Sequence, residues 1–377
     1  MAINADTMSM KPQTATSKVI AVTDREELER WGEQWNDLAL QTPGASPMSS
    51  FAYYSAWLDC RLRPSDRWVC ALAHQDSRLV GVMPLLVEKR KTGPLAYTAL
   101  ISPFSVEPLV ADDADTTVPG DMARSALKAV PEALAIELRH LRADRADPWL
   151  NETTSLHVLR QFDCHGKAVD TSQSLERWEA GLKAKHRREV KRLYRKLMEL
   201  PEAREQVAKD EQEARALTEA FIELEASGWK GEGQTAIRSD SADVAFYKCF
   251  VRRLAALGAC EWHLVRAQGR VLSMHLVLRG EGMLFMPKTA FCEEYRHLGP
   301  GQIGHWLTIK RAIEDPSVVK LDFMSAAPWL DVWQVEQYDY LNLYLYPRRW
   351  RSRVLGYWPR RLQQKLSNAP DRRRDGL

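Results

Sequence analysis

The sequence predicts an α+β fold, a mixed α/β sheet that is mostly antiparallel and flanked by helices, in two tandem lobes of one plan. Three observations predict it. The 377 residues are 45% hydrophobic, enough chain and enough apolar surface for two cores. One order of elements, a strand, two helices, three strands, a helix and closing strands, reads twice along the chain. The last strand, over 338–346, sets Tyr338, Tyr340, Tyr344 and Tyr346 against Leu341, Leu343 and Leu345 with the period of two that a sheet requires.

The first lobe is expected over 18–165, after a disordered stretch at 1–17. A strand at 19–22 opens it. Leu28, Trp31, Trp35, Leu38 and Ala39 then fall at helical spacing and stop before Pro43 and Gly44. A second helix over 50–62 is rich in aromatics. Strands follow at 68–73, 78–87 and 95–101, joined by turns at 75–77 and 92–94, then a helix at 121–129 and strands at 134–138 and 155–162. The junction is placed at 163–174, and the second lobe over 174–362. It reads as a helix at 175–200, a strand at 204–209, helices at 213–227 and 242–257, and strands at 261–266, 270–278 and 283–291. A loop and a helix starting near 302 follow, stopped by Asp315 and Pro316, then a strand at 318–323, a short helix and the closing strand. Residues 363–377 are a basic tail.

A formal net charge of +3 gives no bulk attraction to nucleic acid, so no DNA partner is expected. The first residues have no apolar core, and no stretch approaches the roughly 18 apolar residues of a membrane helix; a cytoplasmic protein is expected. The six cysteines, Cys60, Cys70, Cys164, Cys249, Cys260 and Cys292, show no C-x-x-C spacing, so neither a zinc site nor a disulfide framework is indicated.

The most informative stretch is FCEEYRHLGPGQIGHWLTIKRAIEDP, 291–316. Arg296, Gly299 and Gly301 form R-x-x-G-x-G, where glycines let the backbone approach a ligand and successive N–H groups can point one way. The helix after it adds its unpaired first-turn donors and the positive end of its dipole, which suits a pyrophosphate. The same Gly-Pro-Gly is also an ordinary tight turn before a helix. Its place between a strand and a helix favours the phosphate reading.

Taken with RREVKRLYRKL, FIELEASGWKGEG and LDFM, this loop resembles the GNAT superfamily of acyltransferases, and more narrowly its CelD-like branch related to the FemABX transferases. The resemblance covers about 175–346 well and the first lobe loosely; it implies a tandem GNAT arrangement. It implies acetyl-CoA or another acyl-CoA as co-substrate and no metal, with the pyrophosphate on Arg296, His297, Leu298, Gly299, Pro300, Gly301, Gln302 and Ile303. The strand at 283–291 would offer a backbone N–H to the thioester, and a carboxylate or histidine on a neighbouring strand would act as base. Asp322, in LDFM, stands where the family carries an aspartate. Arg188 and Arg192 match its paired arginines, and Trp229 with Lys230 its Gly-Trp-Lys; these, with Lys288, are placed on the acceptor side. One departure stands out. Where related sequences carry a Tyr-Lys pair, this chain has Trp329 and Leu330, which leaves open the group that protonates the CoA thiolate; Tyr338 and Tyr340 are the nearby substitutes. In the first lobe the position of the glycine loop is taken by SPFSVEPLVADDADTTVPG, whose acidic side chains would repel a pyrophosphate.

Several side chains carry readings of their own. Pro287 removes a ladder donor from the 283–291 strand and marks a bulge or an edge. His275, on the 270–278 strand, has the ordinary pKa of a base working near neutrality and is equally read as a structural histidine. The helix at 175–200 carries eight cations over 183–196, opposed by Glu189 alone, read either as a solvated face or as a site for an anionic acceptor. The expected function is an acyl-CoA-dependent N-acyltransferase acting on an amine of a small molecule or of an envelope or polysaccharide precursor, its base His275 or Asp322. The rivals are a transferase using aminoacyl-tRNA, for which the basic helix would be the tRNA footprint, and a GNAT-like binding module without catalysis.

Overall fold

Among the described residues, one mixed sheet of 13 strands runs through the protein. It is seen in a computed structural model that describes residues 17–92, 95–103, 105–151, 156–228 and 236–367. The strands are β1 (Lys18–Val22), β2 (Arg67–Gln75), β3 (Arg78–Thr92), β4 (Leu95–Ile101), β5 (Leu109–Val110), β6 (Ala133–Arg142), β7 (Leu156–Asp170), β8 (Arg204–Ala208), β9 (Cys260–Ala267), β10 (Arg270–Gly280), β11 (Met283–Phe291), β12 (Lys320–Asp322) and β13 (Glu336–Pro347). Their order across the sheet is β1-β2-β3-β4-β6-β13-β7-β12-β11-β10-β9-β8, with β5 off this path on β3.

That order reads as two half-sheets of the same plan. In the first, β1 to β4 are antiparallel and β4 pairs with β6 in parallel; in the second, β8 to β11 are antiparallel and β11 pairs with β12 in parallel. The closing strands are exchanged. β13, from the end of the chain, lies against β6 of the first half, and β7, from the first half, lies against β12 of the second. β7 and β13 then pair with each other along the middle of the molecule. No local pattern in the sequence predicted this.

The junction expected at 163–174 is therefore not a linker: β7 runs through it to Asp170. The helix expected over 175–200 is two, Leu175–Gly181 and Ala184–Met198, because Leu182 turns extended and buries its side chain while Gln334 packs against Gly181, where a Cβ would collide with it. A helix, Trp358–Ser367, runs past the start of the expected basic tail. Residues 1–16 and 368–377, where disorder and a tail are expected, lie outside the described residues.

Period-two faces and helical stripes build the cores as the patterns require. On β13, Leu341, Leu343 and Leu345 enter one core with Met122, Ala123 and Ala126 of helix Val118–Ala129, while Tyr344 and Tyr346 face the other side. Helix Phe51–Arg61 of the first half packs against helix Ser241–Ala256 of the second, with Tyr53 edge-on to Phe246 at 5.2 Å and Arg61 paired to Asp243 at 2.6 Å. One hydrophobic core thus belongs to both halves. Helix Pro300–Glu314 buries Ile303, Leu307, Ile309 and Ala312 against β10 and β11 in another. Among the described residues, no helix is long and apolar enough to cross a membrane.

Candidate active site

β11 and β12 part company after three residue pairs. Residues 283–285 match 320–322 in parallel, and no residue of β11 beyond Phe285 pairs with β12. On the other edge of β11 the register against β10 jumps from Leu278–Phe285 to Leu276–Lys288, so Met286 and Pro287 bulge opposite Val277. Of the bulge or edge expected at Pro287, the structure has a bulge. The gap opens into a cavity of about 1080 Å³, walled by residues 286–291, the loop at 293–302, helix Ala184–Met198 and the segment 323–333.

The glycine loop lies on this cavity. Gly299 has φ of +61°, a conformation that favours glycine, and a Cβ on it would come within 2.8 Å of Leu193 Cδ1. A Cβ on Gly301 would press on the Phe291 ring at 3.0 Å. Helix Pro300–Glu314 starts here. The N–H groups of Gly301 and Gln302 precede the first helical bond, from Ile303 N to Gly299 O at 3.0 Å, and both residues line the cavity. Arg296, His297, Gly299 and Pro300 line it too, as does Lys288 from β11. Leu298 and Ile303 do not border it, and Ile303 is buried in the core beneath.

The basic helix turns other residues to the cavity than the expected pair. His186, Glu189 and Leu193 line it, while Arg188 and Arg192 are exposed on its outer face, Arg192 donating to Glu189 at 2.8 and 2.6 Å. Trp229 and Lys230 lie outside the described residues; Gly228, just before them, borders the cavity. In the first half, Asp115 accepts from Thr117 N at the start of helix Val118–Ala129, and Asp113 pairs with Arg78 at 2.5 Å.

Neither proposed base borders the cavity. His275 is buried beneath helix Pro300–Glu314, its Nδ1 3.1 Å from Thr308 Oγ1, and burial, then neighbouring His305, hold its pKa well below the ordinary value. His263 Nδ1 lies 3.1 Å from the same hydroxyl, and its Nε2 3.7 Å from Glu261. A hydroxyl carries one proton, so Thr308 donates to one histidine and accepts from the other. Asp322, fully buried, takes hydrogen bonds from the Tyr338 hydroxyl at 2.7 and 2.6 Å and from Met324 N at 2.7 Å. Burial pushes its pKa up, against the pull of Tyr338 and Arg142.

Glu225 and His305 line the cavity without having been expected there, and Trp329 was noted only as a departure from the family. Glu225 is buried in helix Glu211–Ala226, 3.4 Å from Lys288 Nζ and accepting from Ile237 N at 3.0 Å. Its signal was available: it stands four residues after inward-facing Phe221, a carboxylate on the apolar stripe. His305, one turn after Gly301, donates from Nδ1 to the Gly301 carbonyl at 2.6 Å, and burial pushes its pKa down to about 4. The Trp329 ring stands edge-on to His305 at 4.7 Å and is half exposed to the cavity, whereas Leu330 is core.

Comparison with known proteins bears on the part of the chain that carries this site. Residues 184–340 match the family described as Acetyltransferase (GNAT) domain. No curated protein sequence matches the chain. Among solved structures, FemX superposes with a TM-score of 0.61 at 12% identity, over 87% of this chain and 97% of its own. A conserved protein of unknown function from Bacteroides thetaiotaomicron superposes at 0.53 and 8% identity, over 84% and 97%. The C-terminal domain of a putative lysylphosphatidylglycerol synthetase from Agrobacterium fabrum superposes at 0.53 and 6%, over 84% and 91%. At these identities the likeness is one of fold. Residues 184–340, which carry the glycine loop and most of the cavity wall, thus match the GNAT acetyltransferase domain, and the chain has the fold of FemX over most of its length.

Proposed function

We propose that the protein is an N-acyltransferase that takes acetyl-CoA or another acyl-CoA as donor and an amine of a small molecule or of an envelope or polysaccharide precursor as acceptor. The observation that carries this reading is the glycine loop: a helix start with free N–H donors, unobstructed by side chains, opening on a cavity where two strands part. In this reading the pyrophosphate rests on residues 299–302 with Arg296 beside it, and the thioester reaches along residues 286–288, where Met286 and Lys288, flanking Pro287 which has no N–H, carry the backbone donors offered to the oxyanion. The amine attacks the thioester carbon, the C–S bond breaks to release the CoA thiolate, and the nitrogen gives up a proton. We assign that proton to Glu225, the buried carboxylate on the cavity wall, with Lys288 beside it orienting the acceptor. His275 and Asp322 then support the site from behind, and His305 fixes the Gly301 peptide by holding its carbonyl. Within the exchanged sheet we place two GNAT-like lobes, over 18–165 and 174–362.

A second donor, aminoacyl-tRNA, is favoured by one observation, the exposed cations Lys183, Lys185, Arg188, Arg195 and Lys196 along one helix. The test is a melting experiment. Millimolar CoA is expected to raise the Tm of the wild type and not that of Gly301→Asp, whose carboxylate would face the pyrophosphate. A shift with tRNA and none with CoA would overturn the donor assignment.

A further inference from the structure

Away from the cavity, three side chains of different donor type meet on the two strands that flank β13. His140 Nδ1 lies 2.9 Å from Asp163 Oδ2 and 3.8 Å from Cys164 Sγ, and the sulfur lies 3.9 Å from the same carboxylate oxygen. Two irregularities of the sheet bring them together. Against β13, the register of β7 slips between Tyr340–Cys164 and Leu341–Phe162, which makes Asp163 an extra residue. Neighbours on a regular strand point to opposite faces; at this bulge Asp163 and Cys164 reach the same place. The register of β6 slips at the same level, between Leu341–Leu141 and Leu343–Leu138, and His140 there takes φ of +55°. Few residues other than glycine adopt that conformation, and where they do the strain often serves a site.

The donors are also held. The His140 ring stacks on Tyr340, centroids 3.8 Å apart and 13° from parallel. Asn342 donates to Asp163 Oδ1 at 2.9 Å and accepts from His140 N at 2.9 Å, so its amide fixes both partners and leaves Oδ2 turned to the imidazole and the thiol. The His140 and Asp163 side chains are 16% and 33% exposed, which leaves an approach from solvent.

We propose that His140, Asp163 and Cys164 form a binding site for a divalent transition metal ion of the zinc class, with water at the fourth position. Imidazole, carboxylate and thiolate are together the donor set that suits zinc, at bond lengths of about 2.0–2.3 Å. Tetrahedral bonds of that length set ligand atoms a little over 3 Å apart, within a small side-chain rotation of the separations seen here. Asn342 supplies the outer hydrogen bond that orients a ligating carboxylate. A ligating cysteine binds as thiolate, so the ion displaces the thiol proton as the sulfur–metal bond forms. Because β6 and β7 lie on either side of β13, the ion would tie the first half of the sheet across the strand it receives from the second. Cysteine spacing along the chain held no sign of this, since His140 stands on another strand, 23 residues before Asp163.

The experiment uses the purified full-length protein, stripped by chelator and titrated with Co²⁺. One equivalent is expected to bring up a thiolate-to-cobalt charge-transfer band in the near ultraviolet, displaced by Zn²⁺, and Zn²⁺ is expected to raise the Tm. Cys164→Ser should lose the band, and His140→Asn, which tolerates positive φ, should bind at least about 10-fold more weakly. In the wild type, Zn²⁺ should also protect Cys164 from alkylation as mapped by peptide mass spectrometry, a readout that needs no variant to fold. Absence of the band, its survival in Cys164→Ser, or unprotected alkylation of Cys164 would each overturn the proposal.

Discussion

The Tyr338 hydroxyl lies 2.7 and 2.6 Å from the two oxygens of the Asp322 carboxylate, although the strands carrying them are separated by the whole width of β7. The ring crosses β7 over Gly166, its register partner, where any Cβ would fall within the ring itself. Asp322 is the last paired residue of β12, at the point where β11 leaves. The bond therefore ties the exchanged strands to the rim of the gap.

Tyr338→Phe leaves a buried carboxylate short of its donor and is expected to cost about 1–3 kcal/mol in denaturant unfolding. Gly166→Ala should displace the ring and cost at least as much. Because both act on one contact, the double variant should cost clearly less than the two effects added, which a double-mutant cycle measures.

Catalysis and donor binding should separate. Glu225→Gln is expected to lower kcat by roughly 100-fold or more with the CoA-induced melting shift unchanged. His305→Ala should weaken that shift, since the Gly301 carbonyl loses its anchor. His275→Asn and Asp322→Asn should change stability more than kcat. A Glu225→Gln enzyme with wild-type kcat and pH profile would remove Glu225 from the role of base.

Acid stability follows from the buried histidines. The ordinary imidazole pKa is about 6.5, and burial pushes that of His305 to about 4, with His275 and His263 also lowered. Between those values the unfolded chain binds a proton that the folded chain refuses. The folded state thus keeps its full stability above about pH 6.5 and loses it as pH falls toward 4, by on the order of 3 kcal/mol for His305 alone. His305→Gln should flatten this part of the curve. Glu261 acts lower down: burial opposes its ionisation, but His263, Arg279 and Lys209 bring its pKa to about 2, so its contribution is lost only below the range of the histidines.

Replacing Arg188 and Arg192 together with alanine should change stability by no more than about 0.5 kcal/mol, as exposed charges do, and should leave the CoA shift intact. Weakened binding of tRNA in that variant would count for the second donor.

What the sequence disclosed was local in origin. The alternation of β13, the bulge at Pro287 and the helix start after Gly299 each depend on a few neighbouring residues, and each is where the pattern put it. The exchange of β7 and β13 depends on which edges meet across the chain, and nothing in 155–170 or 336–347 names its partner. The same holds within the site. His275 and Asp322 sit on the strands where they were expected, but which face the cavity opens on was decided by the parting of β11 and β12. That parting brought Glu225 and His305 to the wall instead.

The exchanged strands also set the order in which this protein can be completed as it is made. β6 and β7 are finished by residue 170, yet the strand that fills the space between them, β13, begins only at Glu336. Through more than a hundred residues of further synthesis the first half carries two unpaired edges, the surfaces most open to pairing with another chain. Native closure waits for contacts between residues far apart in the chain, which slows folding and extends that exposure. A chain ending before Glu336 would hold nearly all of both halves and still be unable to close the first.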